Sequence, residues 1–198
     1  MGETGIEWTK NADGTAGKTW NPIRARNKAT GKIGWFCEHV TEGCRNCYAE
    51  KMNRNTYFGN GLDYKPATLD QVELCLDEKI LQQPLHWRKP TNIFPCSMTD
   101  LFGRWVKDEW LDQIFSVMAL AKHHTFQCLT KRPERLREYM ARLSRNIEPL
   151  ETAARSLGYT FKFKGLDGKE YSVLPWPIPN VWLGTSIEDQ KTADERIP

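Results

Sequence analysis

The sequence predicts an α/β protein of parallel strand–helix units, arranged as a partial, open (β/α) barrel. Three observations lead there. Short apolar runs at 92–98, 125–130 and 181–186 alternate with amphipathic stretches, the pattern of a parallel sheet with right-handed crossovers. Polar residues directly follow each run, where such folds gather their functional groups. The sequence reaches ADERIP just as a helix begins, so the series reads as a truncated barrel. A second protein chain covering the open edge is the other way to protect such a sheet. Residues 1–198 are read as one domain.

The elements follow in order. Residues 1–36 are rich in Gly, Asn and Thr, and IRARNKATGKIGW reads as a loop or short hairpin around its ATGK turn. YAEKMNRNTYF carries Ala49, Met52 and Tyr57 at helical spacing and ends at Gly59, a C-cap residue. LDQVELCLDEKILQQ places Leu69, Val72, Leu76 and Ile80 on one helical face. NIFPCSM is a buried strand, and KDEWLDQIFSVMALAKHH has the clearest helical stripe, from Trp110 and Leu111 to Met118 and Ala121. TFQCLT is a strand, PERLREYMARL a helix opened by Pro133. Near 160–174, TFKFKGLDGKEYSVL alternates around Leu166-Asp167-Gly168 as an inserted β-hairpin. VWLGTS is a further strand, and IEDQKTADERI starts a further helix.

Composition narrows the class. Apolar residues make up 39% and charged residues 27%, the balance of a globular protein. No run is long enough to span a bilayer, and MGETGIEWTK lacks a secretory pattern, so a cytoplasmic protein without a membrane partner is expected. A net charge of +3 gives no argument for a nucleic-acid partner. Eight tryptophans are read mainly as core and rim packing.

The six cysteines divide unequally. Cys75, Cys96 and Cys128 stand alone, whereas Cys37, Cys44 and Cys47 share the loop 37–47. In a reducing compartment that clustering favours metal over disulfides. Three thiolates can hold an iron–sulfur cube by three irons and leave the fourth free for a small molecule. They can also bind structural zinc with His39, Cys96 or Cys128 as fourth ligand, or be buried apolar residues without a metal. The short Cys44-Arg45-Asn46-Cys47 step suits two thiolates converging on one centre, and Gly43 frees the backbone to turn before it.

Strand-end candidates are Ser97, Thr99 and Asp100 after NIFPC, Thr130, Lys131 and Arg132 after FQCL, and Thr185, Ser186, Glu188 and Asp189 after VWLG. Each has a plainer reading. Asp100 suits a helix cap, Lys131 and Arg132 a solvated edge, and Ser186 with Glu188 an ordinary helix start.

Five segments carry a family resemblance: TWNP (19–22), EGCRNCYAE (42–50), SMTDLF (97–102), LTKRPERL (129–136) and VWLGTSIEDQ (181–190). In this order, over nearly the whole chain, they resemble the phage Gp37/Gp68 family, a three-Cys-motif domain of unknown function. That family is similar to radical S-adenosylmethionine (SAM) enzymes, which implies a partial (β/α) barrel of their type in a bacterium or phage-infected cell. The resemblance implies a [4Fe–4S] cluster on Cys37, Cys44 and Cys47, with SAM chelated at the open iron. An electron donor would drive cleavage of SAM to methionine and a 5′-deoxyadenosyl radical, which acts on an unknown substrate, nucleic acid being one class a phage setting suggests. Ser97, Thr99 and Asp100 become candidates for the methionine amino group or ribose, and Lys131, Ser186 and Glu188 for the SAM carboxylate, ribose or substrate. Most radical SAM enzymes space their cysteines by three and two residues, with an aromatic just before the last. Here the gaps are six and two, Asn46 precedes Cys47, and Tyr48 follows it as the candidate cofactor-binding aromatic. The alternative function is a non-catalytic, metal-stabilised phage protein that binds a host target; a plain interaction domain is the third.

Overall fold

The computed structural model of the chain describes residues 3–164, 170–171, 174 and 176–196. It opens with β1 (Glu3–Thr4), a 3₁₀ turn and β2 (Gly17–Trp20). β2 belongs to the parallel sheet, and the sequence reading missed it because four residues, GKTW, carry no periodicity. Gly17 is required there: a Cβ would lie 2.2 Å from the Thr9 carbonyl oxygen. β3 (Ile23–Asn27) and β4 (Ile33–Gly34) form the hairpin expected around ATGK.

α1 (Tyr48–Arg54) stops well before Gly59, the residue expected to cap it. The buried Asn53 side chain pulls the chain back. It accepts from Trp35 N–H at 2.8 Å and donates to Asn60 Oδ1 at 2.8 Å and Leu62 O at 2.9 Å. Gly59 serves a close approach instead, since a Cβ there would lie 2.3 Å from Asn53 O.

Residues 69–83 do not form the expected helix. Pro66–Gln71 is a 3₁₀ turn, followed by β5 (Val72–Leu76), α2 (Glu78–Leu81) and α3 (Gln83–His86). The spacing of Leu69, Val72, Leu76 and Ile80 fits a helix, but Val72, Leu74 and Leu76 fit strand alternation equally well. β3 supplies the partner, pairing antiparallel from Ile23↔Leu76 to Asn27↔Val72, and that pairing overrides the local spacing. Asp77 ends the strand and caps α2, accepting from Ile80 N–H at 3.0 Å.

The second half follows the expected alternation. β6 (Asn92–Pro95) leads to α4 (Asp108–Leu120), β7 (Thr125–Thr130), α5 (Pro133–Arg145) and an unanticipated α6 (Glu148–Ser156). β8 (Phe163–Lys164) and β9 (Glu170–Tyr171) pair antiparallel as the inserted hairpin, whose Leu166-Asp167-Gly168 turn lies outside the described residues. β10 (Val181–Thr185) and α7 (Gln190–Arg196) close the series.

The main sheet runs β1-β2-β6-β7-β10, with β1 antiparallel on the edge and the other four strands parallel. The parallel strands stand in chain order, so every crossover adds the next strand on the same side. A doubly wound sheet instead reverses its strand order at a switch point. Among the described residues the sheet stays open, with no closed barrel. β7 alternates strictly, sending Phe126, Cys128 and Thr130 to the interior. α4 packs Leu111, Ile114, Phe115 and Met118 into the same core as Trp20, Ile93 and Phe126. Each such side chain contributes about 1.5–3 kcal/mol by leaving water. Among the described residues no helix is long and apolar enough to cross a membrane.

Candidate functional site

The cysteine loop lies across the carboxyl ends of the parallel strands. Thr99, just after β6, donates its hydroxyl proton to Phe36 O and fixes the entry of the loop. A 3₁₀ turn at Glu42–Asn46 then folds the loop back, with Cys44 N–H donating to Thr41 O at 3.0 Å and Cys47 N–H to Cys44 O at 3.1 Å. Cys47 occupies the N-cap position of α1. A Cβ at Gly43 would lie 2.7 Å from Glu188 Cγ, so the loop seats on the segment before α7 and a larger residue would shift that side chain.

Beneath the loop is a cavity of about 340 Å³. Cys37, Cys44 and Cys47 line it together with Tyr48, Ser97, Thr99, Asp100, Lys131 and Ser186. Most of the residues singled out in the sequence therefore converge, whereas Thr185, Glu188 and Asp189 do not line this cavity. Glu188 lines a neighbouring groove of about 450 Å³ and reaches the site through its ion pair with Lys131. Tyr48 is half exposed at the mouth and donates its hydroxyl to Ser97 O at 2.8 Å. Ser97 Oγ exchanges hydrogen bonds with the Asn21 side chain, tying the ends of β6 and β2. Ser186 N–H donates to Thr130 O at 2.9 Å, continuing the β10–β7 ladder to the cavity rim.

Asp100 has a different role from the one its position suggested. Its carboxylate accepts four hydrogen bonds: Phe102 N–H at 3.0 Å, Thr130 Oγ1 at 2.6 Å, Lys131 N–H at 3.0 Å and Arg132 Nη1 at 2.9 Å. Its acceptor capacity is filled by the protein itself. It staples the ends of β6 and β7.

Arg132, beside it, also donates to Glu38 O at 3.3 Å and lies 4.8 Å above the Trp105 ring. Glu38 is buried and takes both Nε and Nη2 of Arg104. Two carboxylates and two guanidiniums thus balance beside Cys37. Sequence reading passed over Glu38, Arg104 and Trp105, since they are far apart in the chain and no local pattern joins them; Arg132 was named only as a strand-end candidate with a solvated edge as its plainer reading.

The thiols differ in environment. Burial pushes Cys37 up to about 12, with Asp100 acting in the same direction and Arg132 against it. Burial also raises Cys44, but the backbones of Thr41 and Val40, and Lys131, outweigh it and leave this thiol below its ordinary value. Val40 N–H lies 3.4 Å from Cys44 Sγ. Tyr64, Met98 and Ala49 form an apolar wall packed against Cys37 and Cys47. His39, considered above as a zinc ligand, instead meets the Glu50 carboxylate at 2.9 Å.

All six cysteines are free thiols. Among the described residues no three Cys, His, Asp or Glu side chains stand close enough to share one metal ion. A single tetrahedral zinc needs sulfurs about 3.8 Å apart, from Zn–S bonds of about 2.3 Å. A cube places each thiolate on its own iron and spreads them further. Cys37, Cys44 and Cys47 line one cavity, a donor set whose chemistry suits an iron–sulfur cube or, with a fourth ligand, zinc.

Fold and site define an open α/β protein, wound in one direction, with a thiol-lined cavity at the carboxyl ends of its strands. Over residues 3–198 the chain matches the family described as "Protein of unknown function (DUF5131)", and it belongs to that family. No curated protein and no solved structure matches it.

Proposed function

We propose that the chain is a radical SAM-like iron–sulfur enzyme of the phage Gp37/Gp68 type, acting on a substrate still to be identified. One observation carries this reading: Cys37, Cys44 and Cys47 open on a single cavity shared with the ends of β6, β7 and β10. The three cysteines would hold a [4Fe–4S] cluster, which supplies one-electron reductive cleavage of SAM when bound. Tyr48 offers a ring face at the mouth for adenine. Lys131 offers an ammonium to the SAM carboxylate, and Ser97 and Ser186 hydroxyls to its polar groups. Thr99 and Asp100 act by position, the first on the loop and the second on the strand ends.

The zinc reading, a metal-stabilised binding protein, draws on Cys96. It lines the same cavity as a fourth thiol and holds φ at 55°, a strained value for a residue with a Cβ. Metal analysis separates the two. Protein purified and reconstituted without oxygen is expected to hold about four iron and four sulfide per chain. Cys44→Ala should lose them, and Cys75→Ser, at an exposed cysteine on β5, should keep them. Adding SAM and a reductant should then yield 5′-deoxyadenosine. Zinc alone in the wild type, or a fully loaded cluster that forms no 5′-deoxyadenosine, would overturn the enzymatic reading.

A further inference from the structure

The whole-chain charge of +3 conceals an uneven distribution. Between residues 24 and 65 the sequence holds eight Lys and Arg against four Asp and Glu. Two of those carboxylates, Glu38 and Glu50, are buried and held inward by Arg104 and His39. The other two pair at the surface, Glu42 with Arg45 and Asp63 with both Arg54 and Lys65. Lys28 and Lys32 donate to the backbone oxygens of Asp70 and Thr56, which leaves their charge unneutralised. Lys51 has no carboxylate partner among the described residues.

The same face exposes an aromatic ridge. Tyr57 is 86% exposed and Phe58 56%, their rings edge to face at 4.9 Å. Met52 and Tyr48 are also exposed and lie one turn apart on α1. Single exposed apolar residues are ordinary, but a run of them flanked by unpaired cations calls for a partner with both flat apolar faces and negative charge. Tyr48 also lines the thiol cavity, so the ridge starts at its mouth. It continues along α1 to the turn at 55–58, where Lys32 Nζ meets Thr56 O at 3.2 Å.

We propose that this ridge binds single-stranded nucleic acid and leads it towards the cysteine cavity. Unstacked bases lie on Tyr57 and Phe58, while phosphates meet Lys32 and Lys51. A duplex hides its base faces and would engage the cations alone. That the strand is the substrate rests on the function proposed above; the binding itself does not need the cluster.

The test is fluorescence anisotropy of the whole chain with a labelled oligothymidylate of about 20 nucleotides and with a duplex of equal length. Single strand should bind more tightly than duplex. Tyr57→Ala with Phe58→Ala should weaken it about 10-fold or more, and Tyr57→Phe should retain it. Lys32→Gln with Lys51→Gln should flatten the log–log salt slope by about 1.4, two phosphates' worth. Equal binding by wild type and the aromatic variant, or equal affinity for duplex and single strand, would overturn the proposal. So would a wild-type dimer that the aromatic variant converts to monomer in sedimentation, because a second copy would then own the ridge. Iron loading is measured on the same samples. Iron-loaded protein without ridge-dependent binding sinks this proposal alone, whereas ridge-dependent binding with no iron sinks only the cofactor reading.

Discussion

Replacing Asp100 with Asn tests whether one carboxylate holds the strand ends that form the cavity floor. Asp100 divides its four hydrogen bonds evenly, one oxygen serving Phe102 N–H and Thr130 Oγ1, the other Lys131 N–H and Arg132 Nη1. Asparagine keeps one acceptor and turns the other into a donor. With its amide towards Lys131 and Arg132, two donors lose their acceptor and a mostly buried guanidinium loses its counter-charge. Breaking a buried ion pair from one side costs about 3–5 kcal/mol. Glu38 Oε2, 3.9 Å from Arg132, retains part of the compensation, which places D100N near the lower end. In a chain of this size each kcal/mol moves the melting temperature by about 2–4 °C, so a loss of about 6–12 °C is expected. Urea unfolding, with the m-value checked for two-state behaviour, gives the free energy directly. Arg132→Met alone should cost a similar amount, and the double variant less than the sum of the two, because each leaves the other's partner stranded. If D100N loses less than about 1 kcal/mol with an unchanged m-value, the carboxylate is no staple and stands free to meet a ligand.

Two further outcomes follow from the packing. His124 is buried, with Nδ1 accepting from Thr91 N–H at 3.2 Å and Nε2 3.1 Å from Pro84 O, an arrangement that suits the neutral ring. Burial, then His123, pulls it from 6.5 down to about 4, so its contribution to stability is whole above pH 6.5 and is lost as pH falls towards 4. Urea midpoints between those pH values should drop in the wild type and drop less in His124→Asn; parallel curves would refute the assignment. Gly17→Ala should destabilise by about 1–3 kcal/mol or more, because its Cβ meets backbone at Thr9. Gly5→Ala, with nothing within 4 Å, should stay within about 0.5 kcal/mol of the wild type by the same measurement, and equal midpoints for the two would refute the steric argument.

Elements with long helical stripes or distinct apolar runs were legible in the sequence: α4, α5, β7 and β10 fall where those patterns put them. Short elements were not. β2 is four residues long and β5 is a strand only because β3 lies beside it, which no local window contains. The candidate site divides along the same line. Cys37, Cys44 and Cys47, and the polar residues just after each strand, could be named in advance because parallel strands bring their ends together. The Glu38–Arg132–Asp100 network could not, since it joins three distant segments by side chains alone. Cys96 is a core residue, and it also lines the cavity with a left-handed backbone, which no local pattern announces.

The two walls of the cavity are held with unequal strength, and the difference bears on how a ligand could enter. Asp100 and Glu38 are nearly inaccessible, and with Arg132 they lock β6, β7 and the start of the cysteine loop into one block. A buried network of this kind resists opening because any separation strands a charge. The opposite wall depends on Lys131 and Glu188, whose side chains are 24% and 23% exposed, with Arg196 3.3 Å behind the carboxylate. That pair is less deeply buried than Asp100 and Glu38 and is screened more by water and salt. The Cys44 end of the loop therefore rests on α7 through fewer inaccessible groups than hold the β6–β7 floor. Gly43 fits the same scheme. It lets the loop settle directly on the Glu188 side chain, so displacing Glu188 frees the loop without breaking a strand pairing.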